Sequence, residues 1–419
     1  MKSFGYGELG FYNIAVLFLV YGIGSFFSTA TINKMGIKFG LVVGAIFKSL
    51  WVLACIVPAY GSQSSDKDYW LYSRDFIYPF QLIMSAICGI GNSMVWPAQG
   101  KYIADCANEE TKGFFYGYFW AFYMSSQIIG NIIGASVLGA QNSVNFFYIM
   151  ASLGFLASFL FIFLKKPFPT EARVTNTKED TDTNELILSS QSISHELLQI
   201  KAKRGVIYDI KAVWYLLISK RMLTLIPQLL YGGIVVAITT GMLVPIIVKG
   251  LSEDYTDEDK KSQISLLIMT GLGVGEITGA LSIGFIIDKL GSKMTCLINV
   301  GLCIASVIIA LIVLNVKSTI PLSCVLTFFW GFHDGSLSSH TSEMLGFQFD
   351  TKMEPFSIYN LNKSIMVFIF SIIQSFVNES DIAMNFYFGA VGILGFIMCF
   401  NTYFFDFKTR SNSRQIMKQ

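Results

Sequence analysis

The sequence predicts an all-α membrane protein of about eleven transmembrane helices, arranged as two bundles of five and six with a polar linker between them. Three observations carry this. Of 419 residues, 53% are hydrophobic and 14% charged, against about 25% charged in soluble domains. The chain resolves into apolar runs, each near the ~20 residues that cross hydrocarbon as a helix. One short basic turn occurs twice, as it would in a chain made of two related halves.

The runs are 10–31, 38–60, 77–103, 113–139 and 144–164, then 223–248, 265–287, 294–314, 319–341, 356–377 and 383–405. Many of the 36 glycines fall inside them, where small residues let helix backbones approach in lipid. This divides the chain into a first bundle over 1–164, a cytoplasmic linker over 165–221, a second bundle over 222–405 and a cytoplasmic tail over 406–419. The linker run EARVTNTKEDTDTNE is charged and poor in apolar residues, so it cannot bury enough surface to order itself. The stretch after it, HELLQIKAKRGVIYDIKAVWYLLI, reads as an amphipathic helix lying at the membrane surface. DTNELI, at 182–187, has the acidic-dileucine form of a sorting signal, and Asn378 lies in a glycosylation triplet.

The repeated turn is TATINKMGIK at 29–38 and GFIIDKLGSK at 284–293. Aligned without a gap, Lys34, Gly36 and Lys38 match Lys289, Gly291 and Lys293, and Asn33 stands where Asp288 stands. Asp288 is placed to accept hydrogen bonds from a helix N-terminus, and the lysines to meet lipid phosphate or a helix C-terminus. Asn33 makes the first copy a neutral latch, weaker than a charge-assisted one. The second copy follows its half's second span, so by symmetry 10–31 is also a second helix, and the opening helix of a twelve-helix plan is missing. Lys and Arg are more frequent in loops on the side of the turns and linker, which assigns that side and the C-terminus to the cytoplasm and the N-terminus to the other side.

An ionisable residue inside a span is costly and so marks a candidate site. Glu276 in GVGEITG reads either as a proton or cation site or as a structural hydrogen bond into the next helix. His333 and Asp334, followed by serines and His340, form the most polar span and face a cavity or pack the bundle. Lys363 pairs with Asp334 or Glu343, or snorkels to the interface, the reading preferred here. Trp96, Gln99, Gly100, Lys101 and Tyr102 read as the end of a span, with Trp96 and Lys101 anchored at headgroup level.

Seven cysteines fall singly and three histidines, His195 among them, are scattered, so neither a disulfide framework nor a metal site is expected. No nucleophile elbow, zincin helix or phosphate-binding loop is present, which argues against an enzyme, and no cofactor is assigned. A charge balance of 30 basic to 28 acidic residues gives no field for nucleic acid.

WPAQGKYIAD (96–105), GYFWAFYMSSQIIGN (117–131, ending at Asn131), GLGVGEITGALSIG (271–284) and GFHDGSLSSH (331–340) resemble, in order and spacing, the Unc-93 family, a branch of the major facilitator superfamily. The resemblance runs from about Gly5 to Phe405, with Asn33 and His333 as departures. It implies a major-facilitator-like fold and a non-enzymatic accessory or regulatory subunit, because characterised relatives act as partners of a potassium channel or as trafficking chaperones of receptors. The expected partners are membrane lipids and a membrane protein: a channel, a receptor or a larger complex. The expected location is the plasma membrane or an endosomal or lysosomal membrane. The alternatives are a secondary transporter of a small solute or ion, with Glu276 and Asp334 as coupling carboxylates, and a structural subunit of a larger assembly.

Overall fold

The computed structural model describes residues 4–64, 69–107, 111–140, 143–165, 205–251, 258–316, 320–351, 353–377 and 380–407. Most of the linker with its dileucine sequence and His195, Asn378, and the tail beyond 407 lie outside them. Among the described residues every regular element is a helix. The first bundle holds α1 (Leu9–Met35), α2 (Ile37–Ala54), α3 (Ile56–Gln63), α4 (Arg74–Cys106), α5 (Lys112–Ala140) and α6 (Ser143–Leu160). Then come α7 (Val206–Leu217), α8 (Lys220–Gly241), α9 (Leu243–Leu251), α10 (Glu258–Leu290), α11 (Ser292–Asn315), α12 (Ile320–Phe347), α13 (Glu354–Val377) and α14 (Asp381–Asn401).

Local chemistry sets the ends and breaks. Ser73, Ser219 and Ser380 accept from Phe76, Met222 and Ala383 backbone N–H groups at 3.3 Å each, capping the otherwise unpaired first turns of α4, α8 and α14. Pro58 has no N–H for the Ala54 carbonyl, so α2 gives way to α3 at Cys55, and Gln81 Nε2 donates to that carbonyl at 2.8 Å. Pro245 does the same between α8 and α9, which continue as one rod. The repeat turns end α1 and α10 on Gly36 and Gly291 at φ 91° and 82°, a conformation that costs a residue with a Cβ.

Taking α2 with α3 and α8 with α9 as single rods, eight helical segments are long and apolar enough to cross a membrane. Three more, α4, α5 and α12, have 33, 29 and 28 residues and carry more polar side chains. All eleven coincide with the runs read from sequence. In α12 those side chains turn inward, and Ser336, Ser339, His340 and Glu343 are fully buried.

The two groups of helices repeat one packing scheme. In the first, α1 packs against α4 and α2 against α4 and α6; in the second, α10 packs against α12 and α11 against α12 and α14. Across the seam α1 meets α13, and by the same symmetry α10 meets α5. The rod α8–α9 has no counterpart among the described residues of the first group. α10 and α12 are held at close range by glycines. A Cβ on Gly275 or Gly279 would strike the Phe328 or Phe332 backbone, and one on Gly331 or Gly335 the Leu272 or Glu276 backbone. This is a GxxxG pair on each helix, facing the other.

Candidate functional site

The seam is tied hardest on the side of the repeat turns. Asp288 accepts the Gly113 and Phe114 backbone N–H groups, one on each carboxylate oxygen, at 2.9 Å each. These belong to the first turn of α5, where free donors and the helix dipole favour an anion. Lys112 pairs with the fully buried Glu343 of α12 at 2.8 Å, and Ser292 donates to the same carboxylate. Trp120 Nε1 donates to Ser342 at 3.0 Å. On the other flank Ser28 and Thr29 of α1 meet Ser357 of α13 at 2.9 and 2.8 Å, and Tyr21 donates to Asn360 at 2.6 Å.

Asp288 therefore sits as its sequence context predicts. Asp288→Ala is expected to destabilise the purified protein by about 1–2 kcal/mol, the usual worth of a lost cap, and Asp288→Asn by less; thermal unfolding in detergent measures both. Asn33 does something else. Its Nδ2 donates to Asp209 of α7 at 3.2 Å, so the first turn is charge-assisted and not neutral, with the acid supplied by the linker. Asp209 is 4% exposed, and α7 packs against both α1 and α13. The outer face of α7 exposes Ile207, Tyr208, Trp214 and Tyr215, the amphipathic pattern expected of a helix lying at a membrane surface.

The other turn residues also repeat. Lys38 donates to the Ile162 carbonyl at the end of the α6 segment at 3.3 Å. Lys293 lies over Tyr403 just after α14, 4.5 Å from the ring centre. Lys289 lies over Phe285 at 4.1 Å, and Lys34 is exposed in the last turn of α1.

On the second bundle's side of the seam, ionisable groups of α10, α12 and α13 lie in one another's electrostatic field. Asp334 of α12 accepts from Ser338 at 3.3 Å and from Thr239 of α8, and lies in the field of Lys363 of α13. The same lysine and Asp334 are the charged neighbours of Glu276 on α10. Glu276 is 1% exposed, and its Oε2 has no hydrogen-bond partner. Lys363 lies over Tyr359 at 5.4 Å and over Trp96 of α4 at 5.8 Å. Facing it from the first bundle, Trp96 stacks on Trp120 with ring centres 5.9 Å apart, and Tyr123 stands edge-on to both.

Two expectations are corrected here. Trp96 is well inside α4, which runs on to Cys106; it closes on an aromatic wall and does not anchor at headgroup level. Lys363 does not snorkel toward a helix end, because Tyr359, Trp96 and Asp334 together offset the burial of its charge. Glu343, offered as a partner for Lys363, is taken by Lys112.

The remaining candidates disperse. His333 packs against Tyr231 and Trp330 with both ring nitrogens unpartnered. His340 meets Asn299 at 3.1 Å inside the second bundle. Lys101 pairs with Asp105 one turn on, and Tyr102 donates to the Lys165 carbonyl at 2.9 Å. Gly100 lies under the Phe356 ring, Gln99 is half-buried, and Asn131 has an unpartnered, buried Nδ2. Trp120, Tyr123, Lys112 and Asp209 escaped sequence reading. In so aromatic a chain nothing local marks the first two, and the last two acquire meaning only across the seam.

The chain matches the sequence profile of the Major Facilitator Superfamily over residues 1–371. It is similar to the UNC93-like protein MFSD11 of Xenopus tropicalis, 21% identical over 287 residues, which is 67% of this chain and 57% of that protein. UNC93-like protein 3 of Arabidopsis thaliana is 26% identical over 141 residues, 29% of this chain and 30% of that one. The match to the Xenopus relative thus spans little more than half of that protein's length. Among solved structures, the proton:xylose symporter XylE bound to 6-bromo-6-deoxy-D-glucose is similar with a TM-score of 0.68 at 14% identity, covering 97% of this chain and 88% of that one. A partially occluded inward-open XylE from E. coli gives 0.63 at 15% identity, covering 98% and 90%. At such identity the likeness is one of fold.

Proposed function

Since the chain belongs to the major facilitator superfamily and spans a membrane, we propose that it is a carrier for a small solute or ion taken up at the seam between its two bundles. The observation behind this reading is the meeting of Glu276, Asp334 and Lys363, from three helices, opposite the Trp96–Trp120 wall. Intramembrane charge marks a functional candidate, and Lys363 of this group reaches Trp96 of the first bundle, toward the interface between repeats where carrier sites usually lie. Asp288, Lys112 and Glu343 then serve as the latch of one access state, and the linker side is assigned to the cytoplasm on its basic loops.

In proteoliposomes, solute-evoked currents or uptake should be lost in Glu276→Gln and in Asp334→Asn. Wild-type flux in both variants would sink the reading.

The accessory reading, which the Unc-93 resemblance implies, draws on one observation. Asn33 gives its bond to α7 of the linker and not to the start of α13, a tie suited to holding the bundles in one state beside a membrane-protein partner. It expects co-purification with that partner at fixed stoichiometry and no flux.

A further inference from the structure

We infer that the outer face of α7 is a docking surface for anionic phospholipid in the leaflet on the side of the repeat turns. It holds whether the chain is a carrier or an accessory subunit, because it rests on the linker helix alone.

α7 has two unlike faces. Asp209 and Val213, one turn apart, are buried: Asp209 meets Asn33, and Val213 joins an apolar cluster with Met222, Leu225 and Phe405. On the opposite side Ile207, Lys211, Trp214, Tyr215 and Ile218 recur at the spacing of a single helical face. The four apolar members are each at least 50% exposed, and Lys211, at the centre, is exposed as well. So much apolar surface on a helix of 12 residues marks an interaction site.

The neighbouring helix shows what covers it. Trp214 stands edge-on to Phe26 of α1, with ring centres 6.4 Å apart, and Phe26 stands edge-on to Phe27 at 5.7 Å. Phe27, Ile23 and Leu19 are exposed one turn after another along α1, a helix long and apolar enough to cross a membrane. The outer face of α7 therefore continues a surface that hydrocarbon covers, and joins it near the end of the span. Headgroups lie at that depth, where tryptophan and tyrosine are favoured. A helix lying there sinks its apolar side chains to the acyl boundary and holds its lysine up among the phosphates.

Charge selects the lipid. Lys220 is exposed just beyond the face that Lys211 centres, and Asp209, the only acid of α7, is turned inward. The surface offered to the leaflet is basic, and each lysine near an anionic leaflet strengthens binding about fivefold. Lipid bound outside favours the docked helix over a loose one, and with it the packing of α7 on α1 and α13.

The test places the whole chain in nanodiscs of phosphatidylcholine, with or without phosphatidylserine, and follows hydrogen exchange over residues 206–217, which reads opening of the helix. Phosphatidylserine should slow exchange there about twentyfold if both lysines engage, and high salt should erase the difference. Lys211→Gln/Lys220→Gln should lose the gain; if that variant does not fold, the salt dependence of the wild type decides. Tyr215→Ser should exchange faster in both lipids, since a ring inserted in lipid is lost, whereas a ring facing water would leave exchange unchanged. Glycerophosphoserine, the headgroup without its chains, should give no protection in detergent. Equal exchange in the two nanodiscs, a phosphatidylserine effect that survives loss of the lysines, wild-type exchange in Tyr215→Ser, or equal protection by glycerophosphoserine would each overturn the inference, the last by showing a site for a free anion and not a lipid surface.

Discussion

Glu343→Ala is expected to lower the unfolding temperature of the purified protein sharply, whereas Asp105→Ala should scarcely move it. Both acids pair with a lysine. Lys101 and Asp105 are about a quarter exposed and one turn apart on a single helix, a setting worth about 0.3–0.5 kcal/mol. Lys112 and Glu343 are 12% and 0% exposed and lie on helices of different bundles. Removing the glutamate deletes a buried, charge-assisted tie between the bundles and strands the Ser292 hydroxyl, at a cost of about 1–3 kcal/mol. The double variant Lys112→Met/Glu343→Leu should regain most of the loss, since apolar groups of similar volume replace a buried pair at little cost. Equal, small shifts in the two single variants would show that the seam pair contributes no more than a surface pair.

The larger effect is expected at the crossing of α10 and α12. In Gly335→Leu and Gly331→Leu the new side chain meets the backbone at Glu276 and Leu272. A helix backbone cannot rotate aside, so the two rods must separate along a packed crossing. The cost lies at or beyond about 3 kcal/mol, the upper end for overpacking, and folded yield on size exclusion should collapse. Gly301→Ala and Gly389→Ala provide the contrast, since a Cβ at either meets nothing within 4 Å. There the gain in helix propensity, up to about 1 kcal/mol, should leave stability level or higher. Normal yield in Gly335→Leu would mean that the crossing is looser than the backbone contacts imply. Because Glu276 and Asp334 sit beside these glycines in sequence, separating the helices should also abolish the proposed flux, while the Gly301 and Gly389 variants keep it.

The span pattern was legible in the sequence because hydrocarbon enforces it: each crossing needs a run of apolar residues, and no packing argument is required to find one. The turn at Asp288 was legible for a similar reason, since glycine at positive φ, an acid and flanking lysines form a local unit whose copies can be aligned. The charged candidates were legible one at a time, because a lone ionisable group in a span stands out whatever it touches.

What the sequence determined by itself was therefore what local energetics decide: the apolar runs of the spans, the paired turns and the residues too polar for lipid. The tertiary structure alone decided which of those residues meet. Lys363 turned to Trp96 and Asp334 and away from the helix end, Glu343 went to Lys112, and Asn33 found Asp209 of a linker helix 176 residues away. The physical reason is that a buried charge takes the partner that folding brings into hydrogen-bond range, and that partner lies on another helix, at a separation no local pattern encodes.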